Sequence, residues 1–239
     1  MTDEMTVSTT EELPTALTLA ELTGSLAVAP EGADDNDFKA LAKTHSFLPR
    51  INLLQPTSKE AGRNKKGMPG DWLLTKSKDD SDNISEKFMA IPLAFRFKAV
   101  DMRNKEKILN YYDQKSPEFL AVKEVAKGKG MTGCMAGIEF LFWAPEQEAF
   151  ATWYASSVTA LGEAQSIRVM IGKPVWIKSV EISSKDFTWF GLKCTPCSEP
   201  YKEPDIAMAA STIKTFTTPK SSEVEAVTPE EAAESERAR

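Results

Sequence analysis

The stretch KFMAIPLAFRFKAV, residues 87–100, decides the fold class. Leu93, Phe95, Phe97 and Ala99 alternate with Arg96 and Lys98, so one face is apolar and the other cationic. That period of two belongs to a strand, whose successive side chains point to opposite sides. Pro92 removes one backbone donor, which predicts an edge position or a bulge at that point.

The segments on either side repeat the theme. Strands are expected over Phe47–Gln55, Trp72–Lys76, Gly137–Ala144 and Ala149–Ala155. Val175–Ile182 and Phe187–Cys194 form a hairpin about Ser183, Ser184, Lys185 and Asp186. Lys59–Gly70, with three glycines and the basic residues Lys59, Arg63, Lys65 and Lys66, reads as a loop. Two helices are expected. Ser116, Pro117 and Glu118 supply an N-cap, a first-position proline and a first-turn acid for a helix that ends near Lys127. Leu161, Ala164, Ile167 and Ile171 share a helical stripe between Ser156 and Gly172. Strands outnumber helices without regular β-α alternation, which disfavours a doubly wound parallel sheet. The reading is a mainly β chain with two helices, an OB-like β-barrel, with an α+β sheet of another topology as the second choice.

Charge marks the domain limits. Residues 1–40 hold one basic residue against nine acidic ones, and residues 198–239 hold five against nine. The middle, 41–197, is basic by +6, although the whole chain sums to −6. The expected organisation is a largely disordered acidic arm over 1–46, the barrel over 47–198 and a disordered acidic tail over 199–239. The body is long enough to bury a core without staples. Three cysteines are too few for a disulfide framework and suit a reducing compartment. The acidic N-terminus lacks the apolar stretch of a signal peptide, and no apolar run reaches the roughly 18 residues of a membrane span. A cytoplasmic protein with no membrane contact is the expectation.

Catalytic signatures are sparse. His45 is the single histidine and has no neighbouring carboxylate or cysteine motif. No serine occupies a nucleophile elbow, and there is no phosphate-binding Walker loop. Gly128, Gly130 and Gly133 have dinucleotide-like spacing, but they follow a helix and precede a strand, the reverse of the required order. Cys194 and Cys197 form half a zinc knuckle, or, more simply, close a strand. An enzyme is not expected, nor a cofactor or a metal.

A basic body rich in aromatic residues suits a polyanion. Single-stranded DNA needs a flat ring on which a base can stack and cations for its phosphates, and each stacked base contributes about 1–3 kcal/mol. Arg96 and Lys98 share one strand face, Trp176 and Lys178 another, and Phe187, Trp189 and Lys193 a third. Trp143 and Trp153 lie on neighbouring aromatic strands. Phe95, Phe97, Phe140 and Phe142 are read as core. For Trp143, Trp153, Trp176 and Trp189 the alternation leaves core and surface equally open. Arg50 and the Lys65–Lys66 loop are candidate phosphate contacts.

Leu48-Pro-Arg-Ile-Asn-Leu-Leu-Gln, Gly67-Met-Pro-Gly-Asp-Trp, Gly137-Ile-Glu-Phe-Leu-Phe-Trp and Gly172-Lys-Pro-Val-Trp-Ile-Lys together resemble a group of bacteriophage replication and recombination proteins. The resemblance covers about residues 48–197 and carries no catalytic residues with it. It implies a single-stranded DNA-binding protein of OB-like fold. The acidic tail, outside that stretch, resembles the tails of bacterial single-stranded DNA-binding proteins, which compete for the basic groove and recruit replication or recombination proteins. The tail departs from the bacterial pattern by ending Glu236-Arg-Ala-Arg239. A homo-oligomer is compatible with the sequence. The alternative is a virion or assembly protein with flexible arms.

Overall fold

The structure, a computed structural model, describes residues 48–63, 65–77, 80–104, 108–128, 132–185, 187–218 and 223–225. The expected acidic arm over 1–46, with His45, and residues 219–222 and 226–239 of the acidic tail lie outside these. The described residues form ten strands and three helices, so the chain is mainly β. The strands are β1 (Arg50–Leu53), β2 (Trp72–Thr75), β3 (Ser81–Ser85), β4 (Lys87–Asp101), β5 (Ile108–Tyr111), β6 (Cys134–Ala144), β7 (Ala149–Ala155), β8 (Val175–Ser183), β9 (Thr188–Pro196) and β10 (Glu223–Glu225). The helices are α1 (Pro117–Ala126), α2 (Val158–Arg168) and α3 (Ile206–Thr217).

The opening stretch is the spine of the molecule. Its first residues, Lys87–Ala90, pair antiparallel with β8, and the rest pairs antiparallel with β6 and β5. The register slips between Pro92 and Ala94, the bulge that a proline inside a strand predicts. The long path runs β10-β5-β4-β6-β7-β1-β2-β3, and the β8–β9 hairpin branches from the start of β4. Among the described residues every pairing between these strands is antiparallel except β1 on β7, where Arg50 stands opposite Thr152.

The two sheets that share β4 enclose the main core. Ile51, Trp72, Leu74, Phe140, Phe142 and Trp153 meet Phe88, Val175, Ile177 and Leu192 there, with Ala164 and Ile167 of α2. Each large apolar side chain buried in this way stabilises the fold by about 1.5–3 kcal/mol. Ser116 and Ser157 cap α1 and α2 by accepting from Phe119 N and Ala160 N at 3.1 and 3.2 Å. No helix among the described residues is long and apolar enough to cross a membrane.

Three expectations are corrected. The helices number three rather than two, because the segment assigned to the tail from residue 199 onward contains α3. Ala209, Ile213 and Phe216 of that helix are buried against Leu93, Trp143 and Phe150, on the side of the sheet away from the main core. Asp205 caps it by accepting from Met208 N at 2.8 Å. The strands also exceed the seven expected, since β3, β5 and β10 are added. Finally, strand pairing does not close a barrel among the described residues. The outer edge of β9 meets side chains instead: Gln55 donates to Phe190 O and accepts from Phe190 N, both at 2.9 Å, and Glu163 of α2 accepts from Cys194 N at 3.4 Å.

Gly137 shows how tightly the sheet is joined to the turn before α2. A Cβ at this position would lie 2.0 Å from the Ala155 carbonyl oxygen, and both partners are backbone. Gly137→Ala is therefore expected to reach or pass the upper end of overpacking costs, about 3 kcal/mol. A thermal melt reads this as a fall of at least ~6 °C; an unchanged midpoint would show that the two segments do not meet this closely.

Candidate nucleic-acid interface

Strand alternation and register build one cationic surface. On β8, Val175, Ile177 and Ser179 are buried, while Lys178 between them is exposed and Trp176 half-buried. Lys178 stands opposite Lys87 of β4 on one side and Lys193 of β9 on the other. The next row is Met89, Trp176 and Thr195. Neighbouring strands lie about 4.8 Å apart, so the three lysines of one row are rooted within ~10 Å. Lys87, Trp176, Lys178, Lys193 and Thr195 line an open depression of about 290 Å³.

The electrostatics of this row are unusual. Like charges directly opposite each other on a ladder are destabilising. Among the described residues, none of the three lysines forms an ion pair. Lys87 Nζ instead lies 3.5 Å from the centroid of the Trp176 ring. An exposed ammonium over an indole contributes about 0.5–1 kcal/mol, less than the ~1–3 kcal/mol of a base stacked on the same ring. The surface thus combines surplus positive charge with a ring that a stronger partner can claim.

A second aromatic group lies at the far end of the hairpin. Trp189 stands opposite Ile182, and its ring is 5.2 Å from that of Phe187 with the planes at 36°. Phe187 is 64% exposed, a large apolar ring left to solvent beside a half-buried tryptophan.

The other expected contacts lie elsewhere. Arg96 and Lys98 do face away from Phe95 and Phe97, but they turn into a covered cluster around Glu139. Arg96 Nε donates to Glu139 Oε2 at 2.7 Å, and Lys98 Nζ donates to Oε1 at 2.9 Å. The guanidinium sits between the rings of Tyr112 and Phe216, at 3.9 and 4.3 Å from their centroids, and donates to Phe216 O at 3.0 Å. Burial alone pushes the Glu139 carboxyl up; the charges of Lys98 and Arg96, with their hydrogen bonds, outweigh it and hold the group below the ordinary glutamate range. Lys98 is buried and α3 lies over Arg96, so neither joins the lysine row.

Trp143 and Trp153 are buried as well. Trp153 stacks on Phe140 in the main core with centroids 6.0 Å apart. Trp143 lies under α3 and donates from Nε1 to Lys202 O at 2.8 Å. Arg50 is half-buried at the start of β1. Lys65 and Lys66 are exposed on a loop whose neighbours Gln55 and Gly70 both touch Phe190 of β9, so this loop borders the hairpin. Of the expected residues, Trp176, Lys178 and Lys193 come together, Trp189 stands at the hairpin's other end, and Lys65 and Lys66 sit at its margin. Lys87 was missed. Its place at the start of a strand was legible, but the register that sets it beside Lys178 and Trp176 was not.

The Cys194 thiol is pushed up to about 11 by burial and then by the nearby Glu163, which disfavours a free thiolate nucleophile. Cys194 and Cys197 are free thiols. Compared with protein-family models, curated proteins and solved structures, the chain matches none.

Proposed function

We propose that this chain is a single-stranded DNA-binding protein of phage type, without strong sequence preference, that serves DNA replication or recombination in the host cytoplasm. The observation that carries the reading is the uncompensated row Lys87–Lys178–Lys193 beside the Trp176 ring. Three lysines on one row suit a phosphodiester backbone, and the half-buried indole suits an unpaired base. A duplex keeps its bases stacked on one another and offers the ring nothing comparable. The two sheets sharing β4 around one core support an OB-like arrangement that stays open where Gln55 and Glu163 meet the edge of β9. The task is binding rather than catalysis, and the acidic tail is the natural docking segment for replication or recombination proteins.

Titration with oligo(dT), read by tryptophan fluorescence, tests this. Trp72, Trp143 and Trp153 are buried, so quenching reports Trp176 and Trp189. Saturable quenching at low salt is expected. Three neutralised phosphates set a slope of log affinity against log salt near −2, at about 0.7 per phosphate on a single strand. No quenching at low salt overturns the reading.

A further inference from the structure

Lys87 occupies the position that a ligand base needs. It is the first residue of β4, directly after the tight β3–β4 turn, where Ser85 has φ 64° and donates its N–H to Asn83 Oδ1 at 2.7 Å. The turn fixes the root of the side chain. Its ammonium has two lysines along its own row and an aromatic face one row away, and it lies over the aromatic face. In the free protein the electron-rich ring thus does for Lys87 what an anion would otherwise do.

We infer that Lys87 is an exchangeable cap: it covers Trp176 in the free protein and swings to a phosphate when a nucleotide strand binds, freeing the ring for the base. This rests on the single-stranded DNA reading of the same face. The exchange couples two recognitions. A phosphate is the stronger partner for an ammonium, so its arrival draws Lys87 away; a base can then take the uncovered indole. A phosphate chain without bases uncaps the ring and leaves it bare. A nucleoside without phosphate returns the ammonium to water, and the lost contact with the ring offsets part of the stacking. The site therefore selects ligands that carry a base and a phosphate one nucleotide apart, and binds either part alone weakly.

Lysine side-chain NMR on the full chain tests this. Lys87 signals are assigned by their loss in Lys87→Ala. In the free protein the Lys87 ε-methylene protons are expected upfield, shifted by the ring current of Trp176. At saturation with oligo(dT), that shift should collapse toward the ordinary lysine position. The Lys87→Ala variant should still quench on oligo(dT), with its salt slope shallower by about 0.7, one phosphate fewer. If wild-type fluorescence quenches while the Lys87 signal stays upfield, the cap does not exchange and this inference fails, although DNA binding stands. If oligo(dT) neither quenches fluorescence nor moves any lysine signal, both readings fall together.

Discussion

Reversing Lys178 and Lys193 together to glutamate is expected to weaken oligo(dT) binding at least ~100-fold. Each lysine supplies a charge-assisted contact of about 1.5–3 kcal/mol, and every 1.4 kcal/mol is tenfold in affinity. Two lost contacts reach ~100-fold before any repulsion from the new carboxylates is counted. The salt dependence should flatten at the same time, from a slope near −2 to about −0.7, because Lys87 alone remains to neutralise phosphate. Folding should hardly change: both side chains are exposed, and they face each other as like charges in the parent protein. The measurements are a salt series of oligo(dT) titrations and a thermal melt. A well-folded double variant that binds within threefold of the parent would move the interface away from β8 and β9.

The second large effect concerns stability. Glu139→Ala leaves Arg96 and Lys98 without their shared carboxylate, in a pocket closed by Tyr112, Phe216 and the end of α3. Removing one partner of a buried ion pair costs about 3–5 kcal/mol, because it strands the remaining charge. For a body of this size each kcal/mol moves the melting midpoint by about 2–4 °C, so a drop of ~6–20 °C is expected. The triple replacement Arg96→Met, Lys98→Met and Glu139→Leu should recover much of that loss, since apolar groups of similar volume can substitute for a whole buried cluster. The parent protein should show the same cluster in its pH dependence. Because the Glu139 carboxyl is held below its unfolded value, its contribution is complete above the ordinary glutamate range and is lost as pH falls through the depressed folded value. A melt of Glu139→Ala that matches the parent at neutral pH would show that Glu139 does not balance these charges.

The limits of the sequence reading follow from which interactions are local. The alternation of β4, the Ser116 cap and the β8–β9 hairpin depend on neighbours in the chain, and all three were legible. The opposition of Arg96 and Lys98 to Phe95 and Phe97 was legible too. Their partner was not, because Glu139 reaches Arg96 only through the β4–β6 register. Trp143 illustrates a different failure. Phe142 faces the main core and Trp143 faces α3, so both sides of β6 are buried there and alternation no longer separates inside from outside. The helix itself was hidden by composition. Ile206, Ala209, Ile213 and Phe216 keep a helical spacing, but alanine, serine and threonine fill the gaps and make the segment look like its acidic continuation. At the interface, local pattern found the aromatic and cationic residues, while cross-strand register decided which of them meet.

The parallel contact between β1 and β7 bears on how the chain is made. Arg50 pairs with Thr152, and Thr152 N donates to Pro49 O at 2.8 Å, across about a hundred residues of sequence. At roughly 5–20 residues per second, a ribosome takes about 5–20 s to deliver β7 after β1 has been synthesised. During that interval Ile51, Trp72 and Leu74 have no completed core to enter. Maturation of the part of the sheet that holds them is therefore timed by translation and not by the far quicker pairing of β1 with β2.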